Sequence, residues 1–183
     1  MTAGLAKASK QSAGENKKAV FSALAARFGD RFSVSQALRE QHANTLTWLG
    51  CEPPDAVVFA ESEAEVSDVV KLCAAARMPI IPFGTGTSLE GHVNAPFGGL
   101  SLDVSRMNRI VAVHEADLDC VVEPGVTRKQ LNDHLRDSGL SIQAPMPVLA
   151  AWRRRARPVP TPYAMARCAI RYSDFPSCLR TAA

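Results

Sequence analysis

The stretch Ile80-Ile81-Pro82-Phe83-Gly84-Thr85-Gly86-Thr87-Ser88-Leu89-Glu90-Gly91-His92 decides the fold. Its first part, entered at Pro79, is a short apolar run of buried-strand type. Its second part is a loop with glycines at 84, 86 and 91. Glycine at 84 and 86 keeps side chains off the backbone, so amide N–H groups can approach an anion closely. The hydroxyls of Thr85, Thr87 and Ser88 add further donors. A phosphate or pyrophosphate suits such a loop. It is not a P-loop, because the Gly-Lys-Ser/Thr ending is absent. It is not the dinucleotide fingerprint either, because no amphipathic helix follows at once. On spacing alone, an ordinary glycine-rich turn between two strands stays open.

Working outward, Ala56 to Ala60 reads as the strand before it. Between the two strands, Ser62-Glu63-Ala64-Glu65 is a capping box. The segment after it turns Val66, Val69, Val70, Leu72, Cys73 and Ala76 towards one helical face. This strand–helix–strand unit predicts a crossover with a buried parallel sheet. Downstream, Gly99 to Asp103, Arg109 to Val113 and Cys120 to Glu123 read as strands, the last ended by Pro124-Gly125. Thr127 caps a helix through Arg136, with Leu131 and Leu135 on its buried face and Gly139 as its stop. Upstream, Lys17 to Phe28 has helical spacing up to Gly29. Ser33 to Glu40 suggests a second short helix capped by a serine. Residues 1–18 read as a mobile arm. The fold class expected is α+β, with an α/β-like strand–helix–strand lobe.

The chain has 183 residues, 46% apolar and 21% charged, as a globular protein with a core does. These values exclude a disordered chain and a disulfide-stapled miniprotein. No stretch approaches the ~18 apolar residues of a membrane span. Residues 1–18 lack the apolar segment of a secretion signal, so a cytoplasmic address is expected. Cys51, Cys73, Cys120, Cys168 and Cys178 form no C-x-x-C pair and read as buried or free thiols. His42, His114 and His134 are scattered and define no metal spacing. His92 ends the glycine-rich loop as a base, a ligand or a surface residue. Glu115, Asp117 and Asp119 read as a solvated hairpin tip.

Three separated stretches carry a family resemblance. They are Pro54-Asp55-Ala56-Val57-Val58-Phe59, the run Ile80 to His92, and Val122-Glu123-Pro124-Gly125-Val126-Thr127-Arg128. In this order they resemble the FAD-linked oxidases of the p-cresol methylhydroxylase and vanillyl-alcohol oxidase type. Within these, the chain is similar to bacterial D-lactate dehydrogenases (cytochrome) and the glycolate oxidase flavin subunit. The likeness runs from about Glu40 to Leu140. It implies FAD as cofactor, with the pyrophosphate held by Pro82, Phe83, Gly84, Thr85, Gly86, Thr87, Ser88, Gly91 and His92. It implies that Pro124, Gly125, Val126 and Thr127 form a wall of the same site. In such enzymes a hydride passes from the carbon bearing the hydroxyl to flavin N5. The implied partners are FAD and, in the intact enzyme, a small 2-hydroxy acid. No nucleic acid is expected. The implied address is bacterial and cytoplasmic, with the intact enzyme peripheral to the inner membrane.

The charge distribution divides the chain. Residues 1–140 carry 14 basic and 17 acidic residues; residues 141–183 carry seven arginines and one acid. That tail has no glycine and six prolines. Native segments of such length use glycine at turns and helix ends. The tail can be encoded by codons that, shifted by one base, read I-D-P-G-A-D-A-S-L-G-G-M-A-A-T and onward. This resembles the glycine-rich continuation of the family. A frameshift near Leu140 is therefore expected. The organisation expected is an N-terminal arm and helices (1–42), the first lobe of an incomplete p-cresol-methylhydroxylase-type FAD-binding domain (43–140) and an out-of-frame tail (141–183). Catalytic residues are expected to be missing, FAD binding weak or absent, and turnover nil. The other readings are a stand-alone nucleotide-binding module with a basic interaction tail, and a nucleic-acid-binding tail at Trp152 to Arg157. The regrouped tail speaks against both.

Overall fold

The computed structural model describes residues 16–43, 48, 50–87, 91–117 and 119–141. They fall into two units, one ending at Asp103 and one beginning at Val104.

In the first unit, residues 16–28 form helix α1, with Val20, Leu24 and Phe28 buried four apart. Gly29, at φ +53°, ends it and opens a 3-10 turn, Gly29–Arg31. The next residues depart from expectation. Phe32–Ser33 is a short strand, β1, and helix α2 spans only Gln36–Gln41. Ser35 stands at the helix cap without a capping side-chain bond, and the Ser33 hydroxyl accepts from the Ser35 amide at 3.1 Å. Two residues carry no strand periodicity, so β1 is defined only by its antiparallel partner, β2 (Ala56–Phe59).

Helix α3 (Glu63–Ala75) begins where the capping box places it. The Ser62 hydroxyl accepts from the Glu65 amide at 3.3 Å. The Glu65 carboxylate reaches back to the Glu61 amide (2.8 Å), one residue beyond the usual partner, and takes Arg31 in a two-pronged bond of 2.7 and 2.8 Å. The helix ends in a Schellman motif: the Met78 amide donates to Cys73 O and the Arg77 amide to Ala74 O. Arg77 sits there at φ +52°.

Strands β3 (Ile80–Phe83) and β4 (Leu100–Asp103) complete a sheet of order β1-β2-β4-β3. β2, β4 and β3 are mutually parallel, as the crossover predicts. β4 is inserted between the two strands of the crossover, and all four of its residues are buried. β3 lies at the edge, the place where Pro82 can sit without a missing N–H breaking a ladder.

The second unit is built on a hairpin, β5 (Ile110–His114) and β6 (Asp119–Val122). Its register slips between Ile110 and Ala112, and Val111 is left 64% exposed. Residues 115–117 form its turn, and Asp119 is paired with His114. A two-stranded hairpin alone is marginal in water. Here helix α4 (Arg128–Leu135) adds Leu131 and Leu135 to a core of Cys120, Val122 and Val126, with Ile110, Val113 and Leu140 around it. Thr127 caps α4 by accepting from the Gln130 amide at 3.2 Å. Gly139, at φ +71°, closes the 3-10 turn Arg136–Ser138 that follows. Residues 142–183, with Trp152 and the arginine run, lie outside the described residues. Among the described residues, no helix is long and apolar enough to cross a membrane.

Candidate functional site

The glycine-rich loop leaves the carboxyl end of β3, the end of a parallel sheet at which ligands bind in α/β folds. Pro82 and Phe83 are the last residues of the strand, in register with Leu102 and Asp103 of β4. Gly84, Thr85 and Gly86 form a bend, with Gly86 at φ +67°. A side chain at Gly86 would be strained there. The Thr85 and Thr87 hydroxyls lie 3.3 Å apart. Among the described residues, nothing accepts from the amides of Gly84, Thr85, Gly86 or Thr87. Amides with no partner among the described residues, beside hydroxyl donors on a partly exposed loop, suit a pyrophosphate. Ser88 lies outside the described residues.

Gly91 and His92 resume the chain, Gly91 at φ +70°. With Gly50, Glu52, Asn94 and Pro96 they line a cleft of about 440 Å³. Asn94 fixes one side of it: its carbonyl accepts from the Glu52 amide (3.2 Å) and its amide donates to Gly50 O (3.1 Å). The Ala95 amide donates to Glu52 O at 2.9 Å. His92 is exposed, at the mouth of the cleft.

The segment Pro124 to Thr127 belongs to the second unit, where most of its groups already hold that unit together. A Cβ on Gly125 would stand 2.5, 2.6 and 2.8 Å from the carbonyl oxygens of Ser105, Val104 and Met107. The Gly125 amide donates to Met107 O at 2.7 Å and the Val126 amide to Glu123 O at 3.1 Å. The Val126 side chain is wholly buried, and the Thr127 hydroxyl caps α4. What remains for a ligand is the partly exposed Pro124 ring and the proton of the Thr127 hydroxyl. Just before them, burial works against ionisation of Glu123, but Arg109 outweighs it. The guanidinium at 2.6 Å and the Arg109 amide at 2.8 Å hold the carboxyl below its ordinary range.

One arrangement escaped the sequence reading. His42 and Asp103 form a buried pair next to Phe83, at the root of the loop. They are 61 residues apart, and no local spacing connects them.

The comparisons with known proteins agree with this geometry. The family model described as "FAD binding domain" matches residues 54–148, more than half of the chain. A probable mitochondrial D-lactate dehydrogenase of Danio rerio is 53% identical over 108 residues, covering 59% of this chain and 22% of that protein. The glycolate oxidase subunit GlcD of Bacillus subtilis is 36% identical over 111 residues, covering 61% of this chain and 24% of that protein. The chain thus spans less than a quarter of the length of either relative. Among solved structures, p-cresol methylhydroxylase with substrate bound superimposes with a TM-score of 0.62 at 26% identity, over 69% of this chain and 25% of that one. The described fold is thus the mixed α+β architecture of that flavoprotein type, present in part. With its glycine-rich loop at the end of a parallel strand, the chain belongs to the FAD-binding domain family.

Proposed function

We propose that this chain supplies the pyrophosphate-binding lobe of an FAD-dependent 2-hydroxy-acid dehydrogenase acting on D-lactate or glycolate. The observation that carries the reading is the amide run Gly84 to Thr87, without a partner among the described residues, in a chain of this family. When bound, FAD supplies the hydride acceptor, at N5. The chain's own part is to hold the cofactor. Amides 84 to 87 and the hydroxyls of Thr85, Thr87 and Ser88 donate to the pyrophosphate. Pro82 and Phe83 set the direction of the loop, and Gly91 and His92 close its far side. Pro124 and Thr127, the latter by donating its hydroxyl proton, supply a second contact surface for the cofactor, and Gly125 and Val126 hold that surface in shape from within their own unit.

In this proposal residues 1–42 precede the lobe, 43–140 form it, and 141–183 are read out of frame. The glycine-free tail and its one-base regrouping support the last assignment. The catalytic machinery is then encoded downstream in the neighbouring frame. A cytoplasmic address completes the proposal, in keeping with free thiols at Cys51, Cys73 and Cys120. Cell fractionation of the native host checks it.

The test is genetic and then spectroscopic. The gene is sequenced across codons 138–145, through the tail and beyond, and the neighbouring frame is restored at the junction. The expected product carries FAD, and its flavin absorbance bleaches on addition of D-lactate or glycolate. Tail codons that do not regroup to the family string, or a folded, frame-restored protein without flavin, would overturn the proposal.

A further inference from the structure

His42 stands at the C-terminal cap of α2, against the ends of three parallel strands. Phe59 of β2, Asp103 of β4 and Phe83 of β3 are the last residues of their strands and lie in register. The His42 ring meets all three. Its Nε2 is 2.9 Å from the Asp103 carboxylate and its Nδ1 is 2.8 Å from Leu38 O. It packs at a tilt against Phe83, with centroids 4.2 Å apart, and meets Phe59 edge-on at 5.7 Å. His42 and Asp103 are each only 3% exposed.

A carbonyl oxygen only accepts, so Nδ1 donates to Leu38 O. Nε2 shares a hydrogen bond with the Asp103 carboxyl, so both ring nitrogens are held. A buried ring bonded at both nitrogens is rigid, because breaking either bond leaves a polar group unsatisfied away from water. Phe83, the residue before Gly84, rests on that ring. The two rings meet at a tilt of 41°, an aromatic contact that adds to the packing.

We infer that His42 is a positioning residue for the glycine-rich loop: anchored by Asp103 and Leu38, it braces Phe83 and so fixes the direction in which Gly84 to Thr87 leave the sheet. The functional meaning rests on the reading that this loop takes the FAD pyrophosphate. The brace itself is a property of the chain without cofactor.

Nuclear magnetic resonance on the full 183-residue chain tests both parts. In the wild type, the backbone order parameters of Gly84 to Gly86 stay near ~0.85, as in rigid backbone. In His42→Gln they fall below ~0.6, while those of Val58 and Leu102 do not change. A role confined to general packing would loosen the strands as well. Inorganic pyrophosphate is then titrated into both chains. It shifts amides 84 to 87 in the wild type and binds ~10-fold or more weaker in His42→Gln, by loss of preorganisation. A loosened loop with no pyrophosphate shift in the wild type would uphold the brace and overturn the FAD-site reading. Unchanged order in folded His42→Gln would overturn the brace. Should His42→Gln fail to fold, Phe83→Leu decides: it removes the braced ring and keeps the His42–Asp103 pair. Loosening of 84 to 86 then supports the brace, and an unchanged loop overturns it.

Discussion

Gly125 offers the sharpest mutational test of the second unit. In Gly125→Ala the new methyl carbon would sit 2.5 to 2.8 Å from three backbone oxygens, those of Ser105, Val104 and Met107. None of the three can rotate aside as a side chain would, and Met107 is tied to Val104 by its own amide (3.0 Å). Either the 104–107 turn or the 123–126 segment must move. Movement sacrifices the Gly125 amide bond to Met107 O, now 2.7 Å, at about 1 kcal/mol. Overpacking a closed site costs a further ~1–3 kcal/mol. The entropy gained by removing a glycine from the unfolded chain returns ~0.4–1 kcal/mol. The net expectation is a loss of ~1–3.5 kcal/mol. Gly50→Ala is the control, since nothing lies within 4 Å of its Cβ position and its φ is not left-handed. That change should be neutral or stabilising by up to ~1 kcal/mol. Native-state hydrogen exchange on peptides from 119 to 135 reads the second unit directly. Gly125→Ala losing less than ~0.5 kcal/mol there, no more than ordinary surface substitutions do, would refute the packing reasoning.

Three further outcomes follow from particular residues. Arg77→Gly should stabilise the first unit by ~1 kcal/mol in urea unfolding, because Arg77 holds the left-handed position of the α3 Schellman motif at φ +52°. The Arg31 bond holds the Glu65 carboxyl below its ordinary range, against the opposing effect of burial. Its stabilisation is therefore present above the unfolded value of about 4.3 and is lost as pH falls through the lower folded value. Glu65→Gln should cost ~1–2 kcal/mol at pH 7 and flatten the acid limb of the stability profile. Among the described thiols, only Cys51 should react with a maleimide under native conditions. Cys73 and Cys120 are buried, and burial pushes the Cys73 thiol up to about 11. Peptide mapping after short labelling checks this.

The parts of the fold legible in the sequence are those written in neighbouring residues. Ser62 with Glu65 marked the start of α3, and Thr127 with Gly139 bracketed α4 and its closing turn; the structure has both. The apolar runs at 56–60, 79–83 and 99–103 gave three strands of the parallel sheet. Features written across distance were not legible. β1 is two residues long and exists through its pairing with β2. The insertion of β4 between β2 and β3 depends on where the chain returns after residue 91. His42 read as one of several scattered histidines, because its partners Asp103 and Phe83 lie far along the chain. In the site, the glycines at 84 and 86 marked the bend that follows β3. The internal duties of Gly125, Val126 and Thr127 became visible only with the turn at 104–107 and the core around Leu131 in place.

If residues 141–183 are read out of frame, as proposed, the chain holds one lobe of a flavin site and its tail does not complete the other half. Purification of the 183-residue chain, followed by an absorbance spectrum and a fluorescence titration with FAD, tests it most directly. The expectation is a colourless protein that takes up FAD only weakly, through amides 84 to 87, and does not turn over D-lactate or glycolate. A yellow protein carrying stoichiometric FAD would contradict it.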